Sequence, residues 1–225
     1  MNEHKSWIGR LFGARAARVK TAAGFQHFLS SNASFVGQKT VTEYCQAKAG
    51  RMWAQLATEA PFIEGLTRAR WEGYAAVLED VVVIAEGFAR PFAGGRAPEL
   101  GIRLFRLFAD ALDAQGRAPH RPEGWQDVIE RARPRLAAAH LAEPVRPFVA
   151  AQIGGHRMFE ALPFHPAVRR LDEPMIVNSV AFQLVAFLDR MRRECDGAAV
   201  TADLLASDTV ADDDRRPPGP RAEGG

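Results

Sequence analysis

The amino-acid sequence predicts an all-α fold, a single bundle-like domain of about six helices. Apolar side chains recur every three or four residues through the middle of the chain, which is the period of an amphipathic helix. Runs in which Val, Ile, Thr or aromatic residues alternate with polar ones, the pattern of a strand, are nearly absent. The 225 residues are 47% hydrophobic and 25% charged, a composition that suits one globular domain with a full core.

Three helices are predicted in the first half of this domain. Ser34 offers a side-chain cap for a helix over about 34–58, which should end before the next proline. The following helix covers about 61–90, and its second half is apolar on most faces. A helix of that kind is usually surrounded by others, so we expect it to be central and most buried. A third helix is predicted over about 98–115.

The second half of the domain predicts three further helices. The fourth begins at Trp125 and has to pass through Pro134, which we expect to kink it. A shorter helix begins near Val145 and should break at Gly154–Gly155, because two adjacent glycines favour a turn. The last helix covers about 172–195, with an aspartate cap, a proline in its first turn and arginines in its last turns.

The two ends of the chain carry opposite charge. Residues 1–20 hold five basic side chains and one acidic, whereas residues 196–225 hold seven acidic side chains and three basic. We interpret 1–20 as a basic amphipathic arm and 21–33 as a hinge, since the latter contains glycine, serines and asparagine. The helical domain then covers 34–195, and 196–225 is predicted to be an acidic, Pro/Gly-rich disordered tail.

The N-terminal arm contains the candidate binding residues. As a helix it would place apolar side chains on one face and basic side chains beside them: Trp7, Ile8, Arg10, Leu11, Phe12, Arg15 and Arg18. This pattern fits an acidic groove on a protein partner or an anionic membrane surface. The alternative is that the arm packs on its own domain. Nucleic acid is not expected as a partner, because the chain beyond the arm lacks a basic face with interleaved aromatic residues.

Local motifs for catalysis or metal binding are not found in the sequence. It lacks a Gly-x-Ser-x-Gly elbow, a Glu-x-x-His pair and the glycine patterns that bind phosphate, so no metal ion or cofactor is expected. Glu72, Glu79 and Glu86 recur every seven residues along the second helix. We expect these carboxylates to form a solvated or arginine-paired stripe; the alternative is an acidic seam that binds arginines of this chain or of a partner.

Three short runs resemble a known family. Ser34-Phe-Val-Gly-Gln-Lys39, Arg70-Trp71 and Ile176-Val-Asn-Ser-Val180 resemble a poorly characterised family of bacterial all-helical proteins, some of which are labelled esterases. The resemblance covers about residues 30–195. It implies one helical domain and supplies no catalytic set that can be transferred to this chain.

These observations favour a non-catalytic helical adaptor or assembly factor that binds a protein partner, with the inner membrane surface as one setting. Two alternatives stay open: an esterase-like hydrolase whose active site is assembled from distant residues, and a helical carrier of a lipid or quinone. The hydrolase requires Ser or Cys within about 3.2 Å of a His, and the carrier requires an apolar cavity of several hundred Å³. No apolar run approaches the roughly 20 residues of a membrane span, and the first 20 residues lack the apolar core of a secretory signal. We therefore expect a cytoplasmic protein with, at most, peripheral contact at the inner membrane.

Overall fold

A computed structural model describes residues 18–206, and these residues form an all-α domain. Its helices of ten residues or more are α1 (Ala22–Ala49), α2 (Ala60–Ala89), α3 (Ala97–Ala114), α4 (Gln126–Ala138), α5 (Pro147–Ala161), α6 (Glu173–Glu194) and α7 (Gly197–Ala206). Single helical turns at Trp53–Leu56 and Pro166–Arg169 lie in the connections. Within this part of the chain the extended backbone pairing is limited to one bridge, between Val19 and Cys195. The predicted fold class is confirmed.

Helix α2 is the centre of the domain, as predicted. Every residue from Gly73 to Glu86 is buried, because α2 contacts each of the six other long helices. Pro61 lies in its first turn, where a residue without an N–H costs no intrahelical hydrogen bond. The buried stretch includes the side chains of Glu79 and Asp80, so charged groups lie inside the core.

Helix α1 begins earlier than predicted, and the hinge over 21–33 is wrong. Thr21 caps the helix, its hydroxyl accepting a hydrogen bond from the Gly24 amide at 3.1 Å. Phe25 and Leu29 are fully buried, so tertiary packing holds the segment that its serines and asparagine had marked as flexible. The Asn32 side chain donates to the Phe28 carbonyl one turn back, at 2.8 Å, and thus bonds within the helix rather than interrupting it.

Two further expectations about helix ends are corrected. Ser34 lies in the middle of α1 and caps nothing; its hydroxyl accepts from the Gln38 side chain at 2.8 Å. Helix α5 runs unbroken through Gly154–Gly155. Both positions require glycine because neighbouring helices approach too closely there for a side chain. Helix α4 does pass through Pro134, as expected.

The predicted tail over 196–225 is wrong in its first part. Residues 197–206 form α7, which buries Val200, Leu204 and Leu205 against α1, α2 and α3. The Asp196 carboxylate accepts from the Ala199 amide at 3.2 Å and caps this helix. The acidic count of the whole segment concealed these apolar positions, which are spaced for one helical face.

Candidate functional site

Only the last three residues of the predicted arm, 18–20, are among the described residues, and they lie beside the last turn of α6. Of the predicted binding residues, Trp7, Ile8, Arg10, Leu11, Phe12 and Arg15 lie outside the described residues, and Arg18 lies within them. The Arg18 guanidinium donates to the Arg192 carbonyl at 2.8 Å. The Val19 amide donates to the Glu194 carbonyl at 2.7 Å, and the Val19 carbonyl accepts from the Asp196 amide at 2.8 Å. Arg18 and Val19 are therefore bound to the end of α6.

Helix α6 exposes a line of large apolar side chains on its outer side. The α6 face, as we call it, consists of Leu171, just before the helix, Met175, Phe182 and Val185. Their spacing of four, seven and three residues places them on one side of a helix. Leu171 is 79% exposed and Phe182 78% exposed, although Phe182 lies in the middle of a long helix. The opposite side of α6 forms part of the core.

Helix α5 adds exposed apolar residues next to the α6 face. The two helices are antiparallel neighbours: Gly155 lies against Val177, and His156 Nδ1 is 2.6 Å from Glu173 Oε1. Moving seven residues along each helix from the Gly155–Val177 contact brings Phe148 to the level of residue 184. Phe148 is exposed, as are Val149 and Ile153 on the same helix. Large exposed apolar patches are uncommon on monomeric proteins and mark binding surfaces.

Basic side chains border the α6 face at the last turns of the helix. The last turns of α6 carry Arg190, Arg192 and Arg193, and Arg18 binds the same end. Asp189 and Glu194 are interspersed, so this border keeps a net charge of +2. The sequence analysis did not identify this exposed apolar face of α6. A second period of 171, 175, 182 and 185 was present in the sequence and could have indicated the face.

The acidic residues of α2 pair with arginines of this chain, and Glu79, Asp80 and Glu86 are buried, so the expectation of a solvated stripe is wrong for them. Arg135 of α4 donates to Glu79 at 2.8 Å and to Asp80 at 2.9 Å, and Arg157 of α5 binds the second oxygen of Glu79. Farther along α2, Arg121 and His120 bind Glu72 at 2.6 and 2.7 Å, and Arg90 binds Glu86 at 2.6 Å. These pairs connect α2 to its neighbours and leave no acidic seam for a partner in the described chain.

Burial has opposite outcomes for two of these carboxyl groups. Desolvation raises the pKa of Asp80 to about 7, against the attraction of Arg135. Its second oxygen, Oδ2, is buried without a hydrogen-bond partner. Burial also acts to raise the pKa of Glu72, yet hydrogen bonds from Arg121 and His120 bring the pKa below its usual value. Of these two carboxyl groups, Asp80 is thus the one whose negative charge is less stabilised by hydrogen bonds and ion pairs.

For residues 18–206, two features bear on the remaining alternatives: the Ser–His or Cys–His contact that a hydrolase requires and the apolar cavity that a carrier requires. In these residues the nearest serine–histidine approach is Ser31 Oγ to His27 Nε2, at 3.4 Å on the exposed side of α1, outside the required reach. Burial raises the pKa of both thiols, Cys45 and Cys195, to about 12, so both stay protonated. An apolar groove between α1 and α6 has a volume of about 170 Å³, below what the carrier requires.

Two further features of the described chain concern metal ligands and membrane-spanning helices. Across residues 18–206, no three His, Cys, Asp or Glu side chains are grouped as metal ligands would be. None of the helices over the same range combines the length and apolarity that crossing a membrane demands.

Comparison with known proteins leaves the chain without a matched relative. No protein-family model, curated protein or solved structure matches it significantly.

Proposed function

We propose that this protein is a non-catalytic helical adaptor or assembly factor that binds a protein partner through the α6 face and the basic arm beside it. The observation that carries the proposal is the exposure of Leu171, Met175, Phe182 and Val185 along one side of a helix whose other side is core. An apolar line of this size exposed to water is unfavourable unless a second surface covers it.

The shape of the α6 face favours a helical partner segment. From Met175 to Val185, its part within the helix, the face extends about 15 Å, at 1.5 Å per residue, which is the length of about three helical turns. An amphipathic partner helix could lay its apolar side on this line, with anchors spaced by three and four residues.

Charge favours a partner whose polar side is acidic. The last turns of α6 are basic and bind Arg18, and residues 1–20 carry five basic side chains and one acidic side chain in the sequence. Complementary charges orient a partner and raise its association rate, and their effect weakens as salt rises. A cytoplasmic setting, with the arm in contact with the inner membrane, belongs to the same proposal.

The test compares two single substitutions in the full chain. Phe182→Ser removes the most exposed residue within α6 from the face, and Leu141→Ser, at a position that is 77% exposed outside it, is the matched control. Both side chains are exposed, so neither change should unfold the domain. Each protein is used for affinity capture from its own cell at 0.1 M and 1 M salt, with cross-links identifying the contact segment.

We expect the wild type and Leu141→Ser to capture the same protein through an acidic amphipathic helix. Phe182→Ser should lose it, and 1 M salt should weaken its capture. If Phe182→Ser retains every captured protein, the α6 face is not the binding surface and the proposal fails. It also fails if the wild type captures no protein and only sediments with anionic vesicles, unaffected by Phe182→Ser, because the ligand is then a membrane.

A further inference from the structure

A polar cleft of about 360 Å³ lies where α1 crosses α2. Its lining includes Ser34 and Gln38 from α1, Arg70, Trp71 and Tyr74 from α2, and Gln115 just after α3. The volume lies within the lower range of sites for small molecules. The cleft contains no residue of α5 or α6, so a ligand bound in it would not involve the proposed partner surface.

A close approach of two helix backbones builds this cleft. A Cβ on Gly37 would lie 2.9 Å from the backbone carbon of Gly73 and 2.9 Å from the amide nitrogen of Tyr74. Only glycine at position 37 permits this crossing, which places Ser34 and Gln38 opposite Arg70. Residues of the runs 34–39 and 70–71 thus line the same cleft, although their sequences alone suggest core packing and a helix start.

The inner wall of the cleft is fixed by hydrogen bonds. The buried hydroxyl of Tyr74 lies 2.9 Å from Ser30 Oγ and donates to the Ala111 carbonyl at 3.2 Å. Gln115 donates to the same Ser30 oxygen at 3.4 Å. The ring of Trp71 packs on Trp125 at 6.1 Å between centroids. A ligand would therefore meet a preformed aromatic and polar wall.

Arg70 is the charged residue that lines this cleft, and it lacks a carboxylate partner among the described residues. Its Nη2 donates to the Thr42 hydroxyl at 3.2 Å, and its Nε is buried without a hydrogen-bond partner. No carboxylate within residues 18–206 forms an ion pair with it, whereas Arg90, Arg121 and Arg135 each bind one. A partly buried guanidinium without a counter-ion is unfavourable, and an anion that binds beside it relieves that cost.

We infer that this cleft, the Arg70 cleft, binds a small organic monocarboxylate with a planar ring. The carboxylate pairs with Arg70, whose planar donors match its two oxygens. The ring packs against Trp71, and hydroxyl or amide substituents find Ser34 and Gln38. A single cation among neutral donors fits a monoanion better than a phosphate dianion.

The experiment titrates the full chain with benzoate, 4-hydroxybenzoate and indole-3-acetate, with benzamide as the uncharged control and inorganic phosphate as the ring-free anion. Binding is followed by the indole N–H resonances of the tryptophans, of which Trp71 is assigned through Trp71→Leu. Arg70→Gln tests the charge. Arg68→Gln is its matched control, since Arg68 lies two residues away on α2, is exposed, and has no ion pair among the described residues.

We expect at least one carboxylate to shift the Trp71 resonance saturably. Arg70→Gln should weaken its binding at least tenfold, Arg68→Gln less than twofold, and Trp71→Leu severalfold; benzamide should bind at least tenfold more weakly. If Arg70→Gln does not fold, the wild-type Trp71 shift, the benzamide comparison and Trp71→Leu decide. The inference is overturned if no carboxylate saturates, if the two arginine substitutions have equal effects, or if phosphate binds as tightly as the carboxylates.

Discussion

Replacing Gly154 by alanine places a methyl group where the buried carboxylate of Asp80 lies. The added Cβ would be 2.0 Å from Asp80 Oδ2 and 2.8 Å from its Cγ, far inside any real contact. Asp80 cannot move away freely, because its other oxygen accepts from Arg135 at 2.9 Å and the side chain is fully buried. Either α5 shifts away from α2 or the Asp80–Arg135 hydrogen bond is lost.

The expected cost follows from these two outcomes. Overpacking of a core costs about 1–3 kcal/mol, and the loss of a hydrogen bond to a charged group costs about 1.5–3 kcal/mol. Alanine in a helix interior returns about 1 kcal/mol relative to glycine. We expect Gly154→Ala to lower the free energy of unfolding by about 0.5–2 kcal/mol.

Urea denaturation followed by circular dichroism measures this change. Gly101→Ala is the control, since Gly101 also lies in a helix interior but its Cβ would make an ordinary contact, 3.5 Å from the Leu136 carbonyl oxygen. That variant should be as stable as the wild type or slightly more stable. Combining Gly154→Ala with Asp80→Ala should remove the clash, so the two changes together should cost less than the sum of each alone. A Gly154→Ala protein as stable as the wild type would refute the close α2–α5 contact.

Three other changes test the core, its buried acid and the N-terminal contact. Leu78→Ala should lower the free energy of unfolding by roughly 2–5 kcal/mol in urea denaturation, because Leu78 is fully buried and the cavity cannot close; a loss below about 1 kcal/mol would contradict the central position of α2. Because the folded pKa of Asp80, about 7, lies above the unfolded value of about 3.9, its protonated form contributes stability at acid pH that is lost as pH rises through 7. Asp80→Asn should therefore gain stability relative to the wild type, by up to about 4 kcal/mol, between pH 4 and pH 8, and a constant difference across that range would contradict the raised pKa. A chain that begins at Arg18 should keep the melting temperature of the full chain, whereas one that begins at Thr21 should melt several degrees lower, because it loses the hydrogen bonds that residues 18–20 make with the end of α6; equal melting of the two would show that these bonds contribute nothing.

The elements that could be predicted from sequence are those with a strong local signal. Helix α2 is fixed by its continuous apolar second half, and α6 by the proline in its first turn and its core stripe. Helix α3 likewise has nearly the predicted bounds, with Leu100, Leu104 and Phe108 on its buried side. Apolar periodicity, proline position and charge at the helix ends are properties of one segment, so they can be recognised without knowing which helices pack against it.

The misread positions are those whose role depends on a residue far along the chain. Gly154 has the sequence of a helix break, yet it is required by Asp80, more than seventy residues earlier. Ser34 has the sequence of a cap, yet it belongs to a cleft with Arg70. The residues before Ser34 were predicted to be a hinge because the sequence contains their polar side chains but does not reveal the tertiary packing of the segment. Tertiary contacts override local preference at each of these places.

The direct test of the partner surface is photo-cross-linking from position 182 in living cells. A photoreactive amino acid replaces Phe182 in the full chain, and the same amino acid at position 141 is the control, since Leu141 is equally exposed outside the α6 face. We predict one defined cross-linked protein from position 182, joined through an acidic amphipathic helix, and none from position 141. Cross-links from position 182 that reach only residues 1–17 of the same chain, or that match those from position 141, would contradict the account.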